Sequence, residues 1–118
     1  MKGAIVSLGL GALLALTACG SSLPPPSDRL ATAEAAARSA RELGAEREPK
    51  AALHLKLATE QIEQAKGLMK ENDNKRVDLV LQRASADAEL SVMLAKENSA
   101  RADADRAQEK VKNIKAGK

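Results

Sequence analysis

Not one of the 118 residues is Phe, Tyr or Trp, although 44% of the chain is apolar. Aromatic side chains bury roughly 150 to 250 Å² each and dominate most cores. Any core here must therefore be assembled from Ala with Leu, Val, Ile and Met. With 30% charged residues around it, such a composition favours long helices in coiled-coil-like contact over a deep globular interior. The expected fold class is all-α, either an antiparallel helical hairpin or a three-helix bundle with a long C-terminal helix. The lack of aromatic platforms also removes what single-stranded nucleic acid sites stack on, so no nucleic-acid partner is expected.

The spacing of apolar residues places the helices. Ser27 or Asp28 can cap a first helix running to about Leu43, with Leu30, Ala33, Ala37 and Ala40 on one face and Gly44 as its stop. Pro49 suits the first position of a second helix, where its missing N–H has no intrahelical partner to lose. Ala51, Leu55, Ala58, Ile62, Ala65 and Met69 then follow at alternating four- and three-residue steps, a coiled-coil-like seam, with Leu57 and Leu68 widening the face. Asn72-Asp73-Asn74 favours a turn and a cap, so the chain should reverse and begin a third helix near Lys75, antiparallel to the second.

In that third helix the seam continues through Val77, Leu81, Ala84, Ala88, Ser91 and Ala95, thickened by Val80, Leu90 and Leu94. Beyond Ala100 the stripe changes to Ala100, Ala104, Ala107, Val111 and Ile114, while Asn98, Asp103 and Asp105 weaken the earlier face. A helix of roughly 40 residues spans about 60 Å, nearly twice the second helix. Its far end must either project alone, held by pairs such as Glu97 with Arg101, or find a partner in another chain, and an Ala-rich seam would let helix axes approach in a homo-oligomer.

No residues assemble into recognisable catalytic chemistry. His54 is the only histidine and sits between Leu53 and Leu55 as an ordinary helical surface residue; with no Cys after Cys19 and no second His, an N/S metal site is not available. Asn72-Asp73-Asn74 is followed by Lys75, Arg76 and Val77 rather than the Gly and terminal Glu of a calcium loop. There is no Gly-rich phosphate loop and no nucleophile with an oriented base. The expectation is a chain that is not an enzyme and uses no cofactor or metal.

The N-terminus has a different character. Lys2 precedes an uncharged run from Gly3 to Leu16 rich in Leu, Ala, Val and Ile, which fits the charged and apolar regions of an export signal. It ends at Cys19, Gly20-Ser21-Ser22 and Pro24-Pro25-Pro26, short of the roughly 20 apolar residues a spanning helix needs. The junction Leu16-Thr17-Ala18-Cys19 resembles the lipobox of bacterial lipoproteins. That resemblance implies cleavage after Ala18, with Leu16, Thr17 and Ala18 read by the signal peptidase, and a diacylglyceryl group on the Cys19 sulfur. Two or three acyl chains make such an anchor effectively permanent, where one gives marginal binding. Cys19 is the only cysteine, which suits modification and leaves no internal disulfide. Gly20 stands where an Asp would signal inner-membrane retention in enteric bacteria, so the resemblance implies an outer-membrane anchor.

The expected domains are thus a signal peptide at 1–18, the lipidated Cys and a Pro/Ser tether at 19–27, and an Ala-rich helical domain at 28–118. Without residues 1–18 the formal charge falls from +3 to +2, because Lys2 is lost. The small basic excess sits in the tail, where Lys110, Lys112, Lys115 and Lys118 outnumber Glu109 and suit the end of a helix dipole.

Two families resemble the chain. Leu53-His54-Leu55-Lys56-Leu57-Ala58, Gln64-Ala65-Lys66-Gly67-Leu68-Met69, the Asn72-Asp73-Asn74 turn and Arg83-Ala84-Ser85-Ala86-Asp87-Ala88-Glu89-Leu90 are similar to the domain of unknown function DUF4398 over roughly 27–107. That resemblance implies a lipoprotein signal, a Pro-rich tether, an Ala-rich helix and a helix pair; family turns usually carry Gly where this chain has Asn72. It offers no catalytic residues. The chain also resembles small Ala-rich murein lipoproteins, trimeric coiled coils joined to peptidoglycan through a C-terminal Lys, here Lys118, although Pro49 and the Asn72 turn would interrupt a continuous coil. Together they imply an envelope lipoprotein facing the periplasm. Its partners would be membrane lipid through acylated Cys19 and an envelope protein, a second copy or peptidoglycan.

Overall fold

The computed structural model describes residues 26–117. The signal-peptide and lipobox residues, Cys19 included, the tether as far as Pro25, and Lys118 lie outside the described residues, and the last expected tether residue, Ser27, is the first of α1. Within them the chain forms helix α1 (Ser27–Glu42), a short 3₁₀ turn (Ala45–Arg47), α2 (Pro49–Lys70) and α3 (Asn74–Lys115). The all-α class and the long C-terminal helix are as the sequence predicts, and the bundle has three helices.

Local chemistry explains each boundary. At the start of α1 the cap position is taken by Pro26, not by Ser27 or Asp28, which fall inside the first turn. Asp28 there still places negative charge where the helix dipole is positive. Gly44 adopts a left-handed φ of +79°, and its N–H donates to the Arg41 carbonyl at 2.9 Å, ending α1. An added Cβ would meet the Arg47 guanidinium. Pro49 opens α2 behind Glu48, whose carboxylate accepts from the Ala51 N–H. The 3₁₀ turn, which no apolar periodicity marks, buries Ala45 completely.

Between α2 and α3 the backbone makes a Schellman closure. Asp73 N–H donates to Leu68 O and Asn72 N–H to Met69 O, both at 3.1 Å, with Asn72 left-handed at φ +59°. Asn is one of the few side chains that tolerates this conformation. Asp73 then caps α3 by accepting from Arg76 N–H at 3.2 Å, one residue earlier than the sequence predicts.

The three helices run up, down and up. Ten of the fifteen buried apolar residues among those described are alanine, with Leu55, Ile62, Leu68, Val77 and Leu81 supplying the bulk. Alanine at the contact lets helix axes approach toward the low end of the usual range of about 8 to 10 Å. In α3 the six seam positions read from the sequence, from Val77 to Ala95, are the six that are buried. The α2 seam holds through Ala65 and then shifts, so that Leu68 is buried and Met69 is only half-buried. A 3.6-residue helix drifts by about 20° per heptad against a 3.5-residue pattern, and the closing turn draws Leu68 inward. Leu90 does not thicken the α3 seam; it is exposed, and Val92 packs against the core instead.

Candidate interaction surface

Three polar contacts fix how α2 and α3 register. Ser91, fully buried, donates its hydroxyl to the Ala51 carbonyl at 2.8 Å. One turn earlier on α3, Asp87 receives two side chains from α2: His54 Nδ1 at 2.8 Å on one carboxylate oxygen and Gln61 Nε2 at 2.9 Å on the other. A carboxylate only accepts, which places a proton on His54 Nδ1. His54 is therefore an interhelical strut rather than the ordinary surface residue its sequence context predicts. Seven residues separate the Gln61 and His54 partners of Asp87, two turns on one face, a spacing that sequence could have offered as a signal. The Gln61 Oε1 atom is buried without a partner.

Ion pairs place α1. Arg29 Nε lies 2.7 Å from Asp78 on α3, Lys66 Nζ on α2 lies 2.9 Å from Glu34, and Arg41 donates to Thr59 at 3.0 Å. These make α1 antiparallel to α2 and parallel to α3. Lys66 also meets Glu63 at 2.8 Å, and the two carboxylates, Glu63 first, hold its ammonium above the usual lysine range. The shallow groove between α1 and α2 is spanned by these same side chains.

Above this body α3 continues alone. Every residue from Lys96 to Gly117 is exposed, and the helical part of that stretch is 20 residues, about 30 Å long. Glu97 pairs with Arg101 as the spacing predicts, and Asp103 pairs with Arg106. On this free half lie Val111 and Ile114, 49% and 66% exposed, together with the Ala100, Ala104 and Ala107 positions singled out from the sequence.

No group of three or more His, Cys, Asp or Glu able to hold a metal ion occurs among the described residues. No helix among them is long and apolar enough to cross a membrane. Beside the His54–Asp87 pair, the nearby Ser91 hydroxyl is directed to a backbone carbonyl.

No curated protein and no solved structure matches the chain. A family model does, that of the domain of unknown function DUF4398, and it covers residues 28–107. The matched region takes in nearly all of α1, the whole of α2 with its Asn72 turn, and α3 as far as Ala107, more than half of the chain, and the chain belongs to that family.

Proposed function

We propose that the chain is a non-enzymatic envelope lipoprotein, anchored in the outer membrane through acylated Cys19 and facing the periplasm, whose helical body serves as a structural or adaptor module. The observation that carries this reading is the junction Leu16-Thr17-Ala18-Cys19, with an apolar run before it and a Pro-rich segment after it. Diacylglycerol on a lone cysteine gives a durable anchor without a spanning helix. Supporting it, the body presents a compact three-helix unit below and about 30 Å of bare helix above, a shape suited to reaching a partner. The free half of α3 is the contact surface in this reading.

Metabolic labelling with radioactive palmitate tests the anchor: the parent chain should incorporate label and Cys19→Ser should not. Label retained by Cys19→Ser would falsify lipidation at this residue. Crosslinking in intact cells from positions on the free half of α3 tests the adaptor role. A chain that captures neither itself nor any envelope protein there is not an adaptor.

A further inference from the structure

Among the described residues, seven large apolar side chains are exposed, and five of them, Leu79, Leu90, Met93, Val111 and Ile114, lie on α3. Their numbers fall on one heptad pattern of alternating three- and four-residue steps. Each pattern position below residue 98 lies two residues after a position of the buried seam, about 200° around the helix. Thus α3 has two seams on opposite faces, one packed on α1 and α2 and one facing outward from residue 79 to residue 114. Arg83 and Glu97 are the outward seam's two charged interruptions.

We propose that the outward seam is where a second copy of this chain docks, with the two α3 helices antiparallel and residue 97 of each facing residue 100 of the other. This deepens the reading of the free half of α3 as a contact surface by naming its occupant. Two independent complementarities select the register. In size, Leu90 meets Ala107 of the second copy, Met93 meets Ala104 and Val111 meets Ala86, so these three large side chains each oppose a small one, as interdigitating layers require, while Ile114 lies against Arg83. In charge, the flanking positions are Glu89, Lys96, Asp103 and Lys110, all exposed. The antiparallel register sets Glu89 against Lys110 and Lys96 against Asp103, each pair occurring twice by two-fold symmetry.

Neighbouring arrangements fail the same test. Shifting by one heptad in one direction brings Lys96 against Lys110 and Asp103 against its own copy. Shifting in the other brings Lys96 against its own copy and Glu89 against Asp103. A parallel pair would set Lys96 against Arg101 and Lys110 against Lys115. Like charges directly opposed disfavour a pairing. Glu89, Lys96 and Lys110 make no ion pair among the described residues, which leaves them available. Glu97, at the centre, is held by Arg101 of its own chain, and a polar residue on a seam is a known device for fixing register.

The test is sedimentation equilibrium of the full chain in a density-matched mild detergent, with helicity followed by circular dichroism. The parent should be a dimer, and Met93→Glu should be monomeric with unchanged helical melting. Lys96→Glu should weaken the dimer by about tenfold, since two attractions become repulsions, and adding Asp103→Lys should restore it to within about threefold. A parallel dimer gives the opposite sign, because Lys96→Glu would then face Arg101 and tighten the pair; that result overturns the proposal. So does a monomeric parent. If the monomeric parent is nevertheless crosslinked in cells through the free half of α3 to a different protein, the adaptor reading stands and only the second copy is lost.

Discussion

Helix α3 is two regions in one continuous element. From Val77 to Ala95 its inner heptad phase carries Val77, Leu81, Ala84, Ala88, Ser91 and Ala95, all buried. From residue 96 onward the same phase reads Asn98, Ala102, Asp105 and Glu109, all exposed. The helix does not lose its cover only because α1 and α2 end; its own sequence stops asking for cover at that level. Backbone hydrogen bonding is the same in both halves, so the contrast isolates what side-chain burial adds to a helix that local propensity already favours.

The largest effect should come from the inner half. Leu81 is fully buried in a core that is mostly alanine, where few neighbours can move in to fill a hole. Leu81→Ala should therefore lower unfolding stability by about 3 kcal/mol, within the range for buried Leu truncations, measured by urea unfolding. A loss below about 1 kcal/mol would mean that the helices collapse around the gap and that the packing is not specific.

The next comparison holds heptad phase constant. Ala88 and Ala102 stand fourteen residues apart on the same face of α3, one buried and one exposed. Ala88→Gly should lower global stability by about 2 kcal/mol, combining roughly 1 of helix propensity with the lost methyl contact. Ala102→Gly should leave global unfolding unchanged and instead speed amide exchange between residues 96 and 115, by about fivefold for a 1 kcal/mol change in local opening. Equal global effects at the two sites would erase the distinction between the halves.

How much of this was legible in the sequence follows from the kind of force involved. The α3 seam could be read residue by residue because burial on a helix is periodic, and Gly44, Pro49 and Asn72 mark boundaries through backbone geometry that few residues satisfy. The failures were positional or long-range. Ser27 and Asp28 are good caps by type, but the chain entered the helix one residue earlier at Pro26. The size of Leu90 and its closeness to the seam suggest an inward side chain, while its phase belongs to the outward stripe. The Asp87 strut joins residues 33 and 26 positions apart, and only the seven-residue spacing of His54 and Gln61 on α2 hints at such a pairing. Cys19, the one residue whose chemistry the sequence proposes directly, depends on recognition by enzymes and not on the fold.

A smaller effect should come from Ser91, whose hydroxyl is the buried polar contact between the inner half and α2. Ser91→Ala fits the same space and removes one hydrogen bond, so a loss of about 1 kcal/mol is expected in urea unfolding. The variant Ser91→Val, which adds bulk beside Ala51 and also removes the bond, should lose more. If Ser91→Ala proves neutral, the seam tolerates alanine here and the serine fixes register rather than stability, which a change in the amide shifts of Ala51 and Leu55 would report.

The smallest effect belongs to a contact that has no counterpart on the free half, the bridge from Lys66 to Glu63 and Glu34. Folding raises the Lys66 pKa, so the folded state binds this proton more tightly than the unfolded chain does. The associated stability is fully present below the unfolded value, about 10.4 for lysine, and fades as pH rises through the higher folded value. Between pH 7 and 9 the melting temperature should show no dependence traceable to this group, and above about pH 10 it should fall slightly more for the parent than for Lys66→Met. The side chain is solvent-exposed, so screening keeps the difference small and added salt should shrink it further. A parent and variant that run parallel through the alkaline range would show that the bridge orients α1 without stabilising it.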